Sequence, residues 1–256
     1  MMKTALVTGG ATGLGREVAI RLAARGVSVA IADRNQEKLQ EAIAGLGGTN
    51  GSHLPIPVDL TTDGAPDRVI RQCCEKWGQL DLLVNNAALG EIEPFFESTA
   101  KLWNNTLSIN VTALLMLTVA AGRHMRERRS GRIVNLTSPA ARMALPNYAA
   151  YAASKAAVDS ATRSAAVALA PYGVLVNSVS PGMMDTEMQL ITEAKLAEVE
   201  KRPNLEEFLE ERTRRVPLGR RAQISEVADV VIWLLLDAPG YVTAARLNAS
   251  GGLDKD

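Results

Sequence analysis

The feature that most constrains this chain is the regular alternation of short, uninterrupted apolar runs with longer amphipathic stretches. Residues 4–8 read as a buried strand that runs into Gly9-Gly10, and helical periodicity follows over 13–25, stopped by Gly26 as a C-terminal cap. The alternation continues with strand 27–32, helix 36–46, strand 56–58, helix 65–76 and strand 80–84. A long helix at 101–128, strand 132–136, helix 151–170 and strand 175–178 extend it. A helix at 225–236, N-capped by Ser225, and a final strand near 242–247 close the pattern. Strands that are apolar along their whole length are buried on both faces, and each is followed by a helix long enough to cross back. The sequence therefore predicts one α/β domain over 1–256, a Rossmann-type doubly wound parallel sheet with helices on both faces. Only 187–215 departs from the alternation. That segment is charged and helical in propensity, with Met188, Leu190, Ile191 and Phe208 among its apolar residues.

Composition narrows the function classes. Apolar residues make up 47% of the chain and aromatics only 4%, so the core is aliphatic. The 28 basic and 28 acidic side chains cancel, which leaves no field to hold nucleic acid or an anionic membrane. Cys73 and Cys74 are adjacent and poorly placed to bridge each other, and read as reduced, packed thiols. His53 and His124 have no ligand cluster beside them, so no metal site is expected. The apolar start is shorter than a signal-peptide core, and no apolar run approaches the length of a membrane helix. The expected location is the cytoplasm.

The first turn, Thr8-Gly9-Gly10-Ala11-Thr12-Gly13-Leu14-Gly15, has glycines where backbone amides must approach a pyrophosphate at a helix N-terminus. Such a turn also serves as a plain strand-helix connection. Asp33 supports the binding reading, because it ends the second strand at the distance where a carboxylate meets the adenosine ribose. A carboxylate there repels a 2′-phosphate, which favours NAD over NADP. Thr12 supplies no cation to such a phosphate, whereas the neighbouring Arg34 pulls toward NADP.

Tyr151 and Lys155 stand one helical turn apart on the same face. Alone, such a pair is common by chance and more often marks a solvated helix face. A phenol with a pKa near ~10 is a poor base at neutral pH, but an adjacent ammonium and a positive nicotinamide ring are expected to lower that value. Ser138, just past the strand ending at Leu136, emerges where ligands gather in open α/β sheets and can hold a substrate oxygen. Tyr148 is a second phenol, two turns from Lys155 and less well paired with it.

Taken together, these residues resemble the short-chain dehydrogenase/reductase family along nearly the whole chain. Thr8 through Gly15, Leu14 included, is similar to the family's cofactor turn. Asp59-Leu60 stand where the family contacts adenine, and Asn85-Asn86-Ala87-Ala88 is similar to its N-N-A-G element. Asn110 matches an asparagine that holds a proton-relay water, and Ser138, Tyr151 and Lys155 match the catalytic set. Pro181-Gly182, Met184 and Thr186 match the segment that holds the nicotinamide carboxamide. The resemblance implies about seven parallel strands, contacts from Tyr151 and Lys155 to the nicotinamide ribose, and a homotetramer or dimer paired through the long helix and the tyrosine helix. Two departures stand out: Ala88 replaces the usual glycine, and Ala244 follows Thr243 where a glycine is common.

The expected function is oxidation of a secondary alcohol to a ketone, or the reverse, with NAD(H) and Tyr151 as general acid/base. The nearest alternative is an NADP-dependent carbonyl or 3-ketoacyl reductase. A non-catalytic nucleotide-binding protein is expected to lack one of Ser138, Tyr151 and Lys155, and all are present. Segment 183–215 is expected to act as a substrate lid, with Met183, Met188, Leu190 and Ile191 as an apolar wall. Ala140, Leu145 and Tyr148 are further candidates to line the pocket, and Arg142 is a candidate anchor for a carboxylate or phosphate.

Overall fold

The computed structural model describes residues 2–47 and 53–254. Its strands are β1 (Thr4–Thr8), β2 (Ser28–Asp33), β3 (Leu54–Pro57), β4 (Leu82–Asn85), β5 (Gly131–Leu136), β6 (Val174–Pro181) and β7 (Arg246–Ala249). They form a parallel sheet of seven strands in the order β3-β2-β1-β4-β5-β6-β7. Winding starts at β1, moves outward to β3, then reverses and crosses to β4, which opens a crevice at the strand ends between β1 and β4. Among the described residues the α-helices are α1 (Gly13–Ala24), α2 (Gln36–Ala44), α3 (Ala65–Trp77), α4 (Ala100–Leu107), α5 (Leu114–Arg128), α6 (Ala149–Leu169), α7 (Glu187–Val199), α8 (Leu205–Arg214) and α9 (Ile224–Ile232).

Because successive strand side chains point to opposite faces, each strand feeds two cores. Ala5, Val7, Val29 and Ile31 pack under α1, α2 and α9, whereas Leu6, Ala30, Leu83 and Ile133 pack under α3, α5 and α6. This double burial is the reason the strands read as continuous apolar runs.

Four expectations need correction. The last strand is Arg246–Ala249 and not 242–247. Residues 242–245 instead form a bend: Ala244 takes φ 60, its N–H donates to the Val176 carbonyl at 2.8 Å, and the Ala245 N–H donates to Asn177 Oδ1 at 2.9 Å. Ser225 is not a cap but lies inside the first turn of α9. Gln223 is the N-cap, and its N–H donates to Glu226 Oε2 at 2.8 Å. The long helix is interrupted by a π-helical turn, Ser108–Ala113, between α4 and α5. Such a turn inserts an extra residue per turn and is common at functional sites.

Finally, the helical stretch Ala100–Arg128, 29 residues, is long and apolar enough by length and composition to cross a membrane, with mean hydropathy 1.4 in its best window. Half of that window is buried in the fold, where Ala113, Leu117, Ala121 and Met125 pack against the sheet.

Segment 183–215 forms α7 and α8 around Phe208, which is buried beneath the guanidinium groups of Arg202 and Arg212 at 5.4 and 5.7 Å. Glu193 of α7 is completely buried and is held by Arg212 and Arg221, each at 2.8 Å. The charges of this segment include its internal fastening.

Candidate active site

A cleft of about 640 Å³ opens at the C-terminal ends of β1, β2 and β4, where the strand order reverses. Gly9, Thr12, Asp33, Arg34, Asp59, Leu60, Asn86 and Ala87 line it, together with Ala88 and Leu89. The turn from β1 to α1 is packed against the loop after β4 with no room for side chains. A Cβ on Gly15 would fall 2.4 Å from the Gly9 carbonyl oxygen, and one on Gly9 would fall 2.9 Å from the Ala87 Cα. Asn86 braces the turn, its Nδ2 donating to the carbonyls of Thr8 at 3.0 Å and Gly9 at 2.9 Å. The Thr8 hydroxyl accepts the N–H groups of Asn86 and Ala87 at 3.1 and 3.2 Å.

Thr12 is the N-cap of α1 and makes no side-chain capping bond. The first-turn amides therefore lack that partner, as an anion-binding helix start requires. Leu14 contributes at most its backbone, since its side chain lies in the core. Asp33 is fixed at the cleft edge: Oδ2 accepts the Ala11 N–H at 3.1 Å and Oδ1 accepts the Asn35 N–H at 3.0 Å. Asp59 is held below the usual carboxylate range by hydrogen bonds from the Thr61 hydroxyl and backbone, with a smaller contribution from the Arg34 charge. Arg34 thus acts on the Asp59 side of the cleft. A nucleotide carrying a pyrophosphate and a ribose fits these groups.

The second cluster sits where β5 ends. Ser138 caps a short 3₁₀ turn, its Oγ accepting the Ala140 N–H at 3.2 Å, and it hydrogen-bonds the Tyr151 hydroxyl. Lys155 is only 3% exposed. Its Nζ donates to the Leu136 carbonyl at 2.9 Å and lies 5.5 Å from the centre of the Tyr151 ring. The expected acidic phenol is not what the chain alone produces. Burial raises the Tyr151 pKa and the Ser138 hydrogen bond only partly opposes it. Lys155 is itself lowered to about 8, by burial, against the opposing charge of Asp159. In the chain without its cofactor, desolvation therefore sets the direction of the Tyr151 shift.

Tyr148 stacks on Tyr151, with ring centres 4.4 Å apart and planes inclined by 14°. Burial, chiefly, holds its hydroxyl well above the usual phenol range, and it hydrogen-bonds Thr192 of α7. That hydroxyl fills the space above Gly90, where an added Cβ would lie 2.1 Å from its oxygen. Met188 of α7 touches the same spot and lines the cleft. The two clusters therefore meet beneath α7.

The remaining expected residues divide. Asn110 is fully buried in the π-helical turn. Its Oδ1 accepts the Leu89 N–H at 2.7 Å, and its Nδ2 donates to the Leu89 carbonyl and to Ser154 Oγ, both at 2.9 Å. The side chain ties the cleft loop to α6. Pro181 ends β6, and the Gly182 N–H donates to the Ala249 carbonyl at 2.8 Å. Met184 bridges Ala222 and packs on the core. Thr186 caps α7 and faces Gly13. Of the expected apolar wall, Met188 reaches the cleft, Met183 is buried, and Leu190 and Ile191 are exposed by 45% and 63%. Glu91, Asn105 and Ser108 also line the cleft and carried no sequence signal beyond the helical spacing of the last two.

The short chain dehydrogenase family model matches residues 3–196. The sorbitol dehydrogenase of Cereibacter sphaeroides is 35% identical over 251 residues, 98% of this chain and 96% of that protein. Among solved structures, an NAD⁺-bound xylitol dehydrogenase superposes with TM-score 0.93 at 32% identity, covering 98% of each chain. An actinorhodin polyketide ketoreductase with NADPH superposes with TM-score 0.94 at 32% identity, covering 100% of this chain and 98% of that one. The glycine turn, the reversal cleft and the serine, tyrosine and lysine beside it thus occur in a chain that belongs to the short chain dehydrogenase family and is an oxidoreductase of the kind that acts on alcohols and ketones.

Proposed function

We propose that this chain oxidises a secondary alcohol to a ketone, or runs the reverse reduction, with NAD(H) in the cleft and Tyr151 as the general acid/base. The observation that carries the reading is the grouping of a buried lysine, a phenol and a serine hydroxyl at the end of β5, beside a nucleotide-sized cleft. Bound there, the nicotinamide supplies the hydride acceptor or donor. The first-turn amides of α1 face the pyrophosphate, Asp33 the adenosine ribose, Asp59 and Leu60 the adenine, and Pro181 to Thr186 the carboxamide. Ser138 holds the substrate oxygen. Tyr151 takes the hydroxyl proton in oxidation and returns it in reduction, and Lys155 supplies fixed positive charge beside it.

Asp33 favours NAD, because both its oxygens are anchored at the ribose edge and would repel a 2′-phosphate. The similarity to sorbitol and xylitol dehydrogenases points to small polyols as the first substrates to try. Segment 183–215 serves as the lid, with Met188 and Thr192 over the pocket. We place the protein in the cytoplasm as a homotetramer or dimer.

The test is initial-rate measurement with polyols, other secondary alcohols and ketones, with NAD(H) and NADP(H) in parallel. Turnover that prefers NAD and falls about 10²–10⁴-fold in Tyr151→Phe supports the reading. A strong NADP preference would replace it with a carbonyl or ketoacyl reductase. Unchanged turnover in Tyr151→Phe would overturn the assignment of the proton to Tyr151.

A further inference from the structure

Behind the Ser138–Tyr151–Lys155 group lies a second buried polar cluster centred on Arg246 of β7. Its side chain is 10% exposed, and those of its two acidic partners, Asp159 and Asp254, are 9% and 2% exposed. Arg246 Nε lies 3.0 Å from Asp159 Oδ2. Nη2 donates to the Ser138 carbonyl at 3.1 Å, to Ser180 Oγ at 3.0 Å and to the Asp254 carboxylate. Ser180 Oγ also donates to Asp254 Oδ2 at 3.0 Å, and Nη1 donates to Asn248 Oδ1 at 2.6 Å. One guanidinium thus joins the end of β5, the end of β6, helix α6 and the C-terminal turn.

Asp159 is one helical turn beyond Lys155 on α6. Ser138 lies beyond Leu136, the last β5 residue paired to β6, so past Thr137 the sheet ladder no longer fixes its backbone. We propose that Arg246 is a positioning residue: it clamps the Ser138 carbonyl to the Asp159 carboxylate and so holds the serine in register with the Tyr151–Lys155 face of α6. The proposal rests on the catalytic reading of those three residues.

Stability alone is a weak reason for such a cluster, because burying an arginine with carboxylates costs desolvation that well-packed apolar residues would avoid. Geometry is a better one. A planar guanidinium presents its donors at fixed angles, which lysine cannot do, and one edge of this fork reaches both elements that carry the reactive groups. The Asp159 charge also favours the ammonium form of Lys155 against the burial that opposes it.

The test compares Arg246→Met and Arg246→Lys with the parent enzyme, alone and combined with Ser138→Ala. Both variants are expected to bind NADH within about threefold of the parent by fluorescence titration, while kcat falls about tenfold or more and KM changes little. In the Ser138→Ala background, Arg246→Met should cost less than about twofold further, because it acts through the residue already removed. Hydrogen exchange at the amides of 137–142 should accelerate in both variants, independently of any assay. Losses that multiply in the double variant, or unchanged exchange over 137–142, would overturn the clamp. Retained turnover in Tyr151→Phe would instead overturn the catalytic reading, and the exchange result would still decide the clamp. Should Arg246→Met fail to fold, Arg246→Lys keeps the charge while losing the fork, and carries the same tests.

Discussion

Single buried groups give this protein a pH signature. Lys155 falls from 10.5 to about 8 on folding, so above pH 8 the folded chain releases a proton that the unfolded chain keeps until 10.5. Stability therefore rises from pH 8, with a slope of at most about 1.4 kcal/mol per pH unit. Cys73 moves the other way, from 9.0 to about 12, because burial opposes the thiolate. Above pH 9 the unfolded thiol ionises while the folded one cannot, which offsets the lysine gain. Above pH 10 the raised phenols of Tyr148 and Tyr151 add a loss of the same sign. Urea midpoints should rise between pH 8 and 9, level off, and fall beyond 10, and in Cys73→Ala the rise should continue through pH 9. A second prediction concerns Ala244, which holds φ 60 without being a glycine. Ala244→Gly should stabilise the fold by about 0.5–1 kcal/mol, since the relief of a left-handed alanine exceeds the added unfolded-state entropy. Thermal melts check it. Ala244 was recognisable in sequence as a replaced glycine. Its strain was not, because φ is set by the hydrogen bond from its N–H to Val176.

Among the elements, the turn between β1 and α1 is the least forgiving. Gly15→Ala would place a methyl carbon 2.4 Å from the Gly9 carbonyl oxygen and 2.6 Å from Asn86 Nδ2. The expected cost is about 1–3 kcal/mol with loss of NADH binding, measured by denaturant titration and fluorescence. Unchanged binding would show that this turn does not carry the cofactor. Element types were legible because a 3.6-residue or continuous apolar period survives any tertiary arrangement. Element ends were less so. Ser225 looked like a cap, but Gln223 and Glu226 close the helix start instead. The π-helical turn at Ser108–Ala113 left no trace in the period, and it places buried Asn110 against Leu89 and Ser154. Helix α7 illustrates the limit of side-chain type as a guide. Met188, Leu190 and Ile191 are similar in polarity, yet only Met188 turns into the cleft.

For the molecule as a whole, the outer surfaces of α5 and α6 leave Met116, Val119 and Val167 exposed by 41%, 37% and 73%, on the helices expected to pair copies of the chain. Light scattering should give two or four times the 27.3 kDa chain mass, and Val167→Glu should shift it toward the monomer. A monomeric parent would refute the pairing. The primary structure by itself determined the class of sheet and the helices that flank it, and singled out the glycine turn, Asp33, Ser138, Tyr151 and Lys155 as candidates for the site, because period and spacing are local properties that chain folding preserves. Tertiary structure alone decided which charges are buried. It set Glu193 between Arg212 and Arg221 and brought Arg246 to Asp159 and Ser138 across 87 and 108 residues of chain. It also raised the Tyr151 pKa by burial, which the spacing to Lys155 does not reveal. The physical reason is common to all three. Desolvation depends on everything packed around a group, and distant segments supply most of that packing.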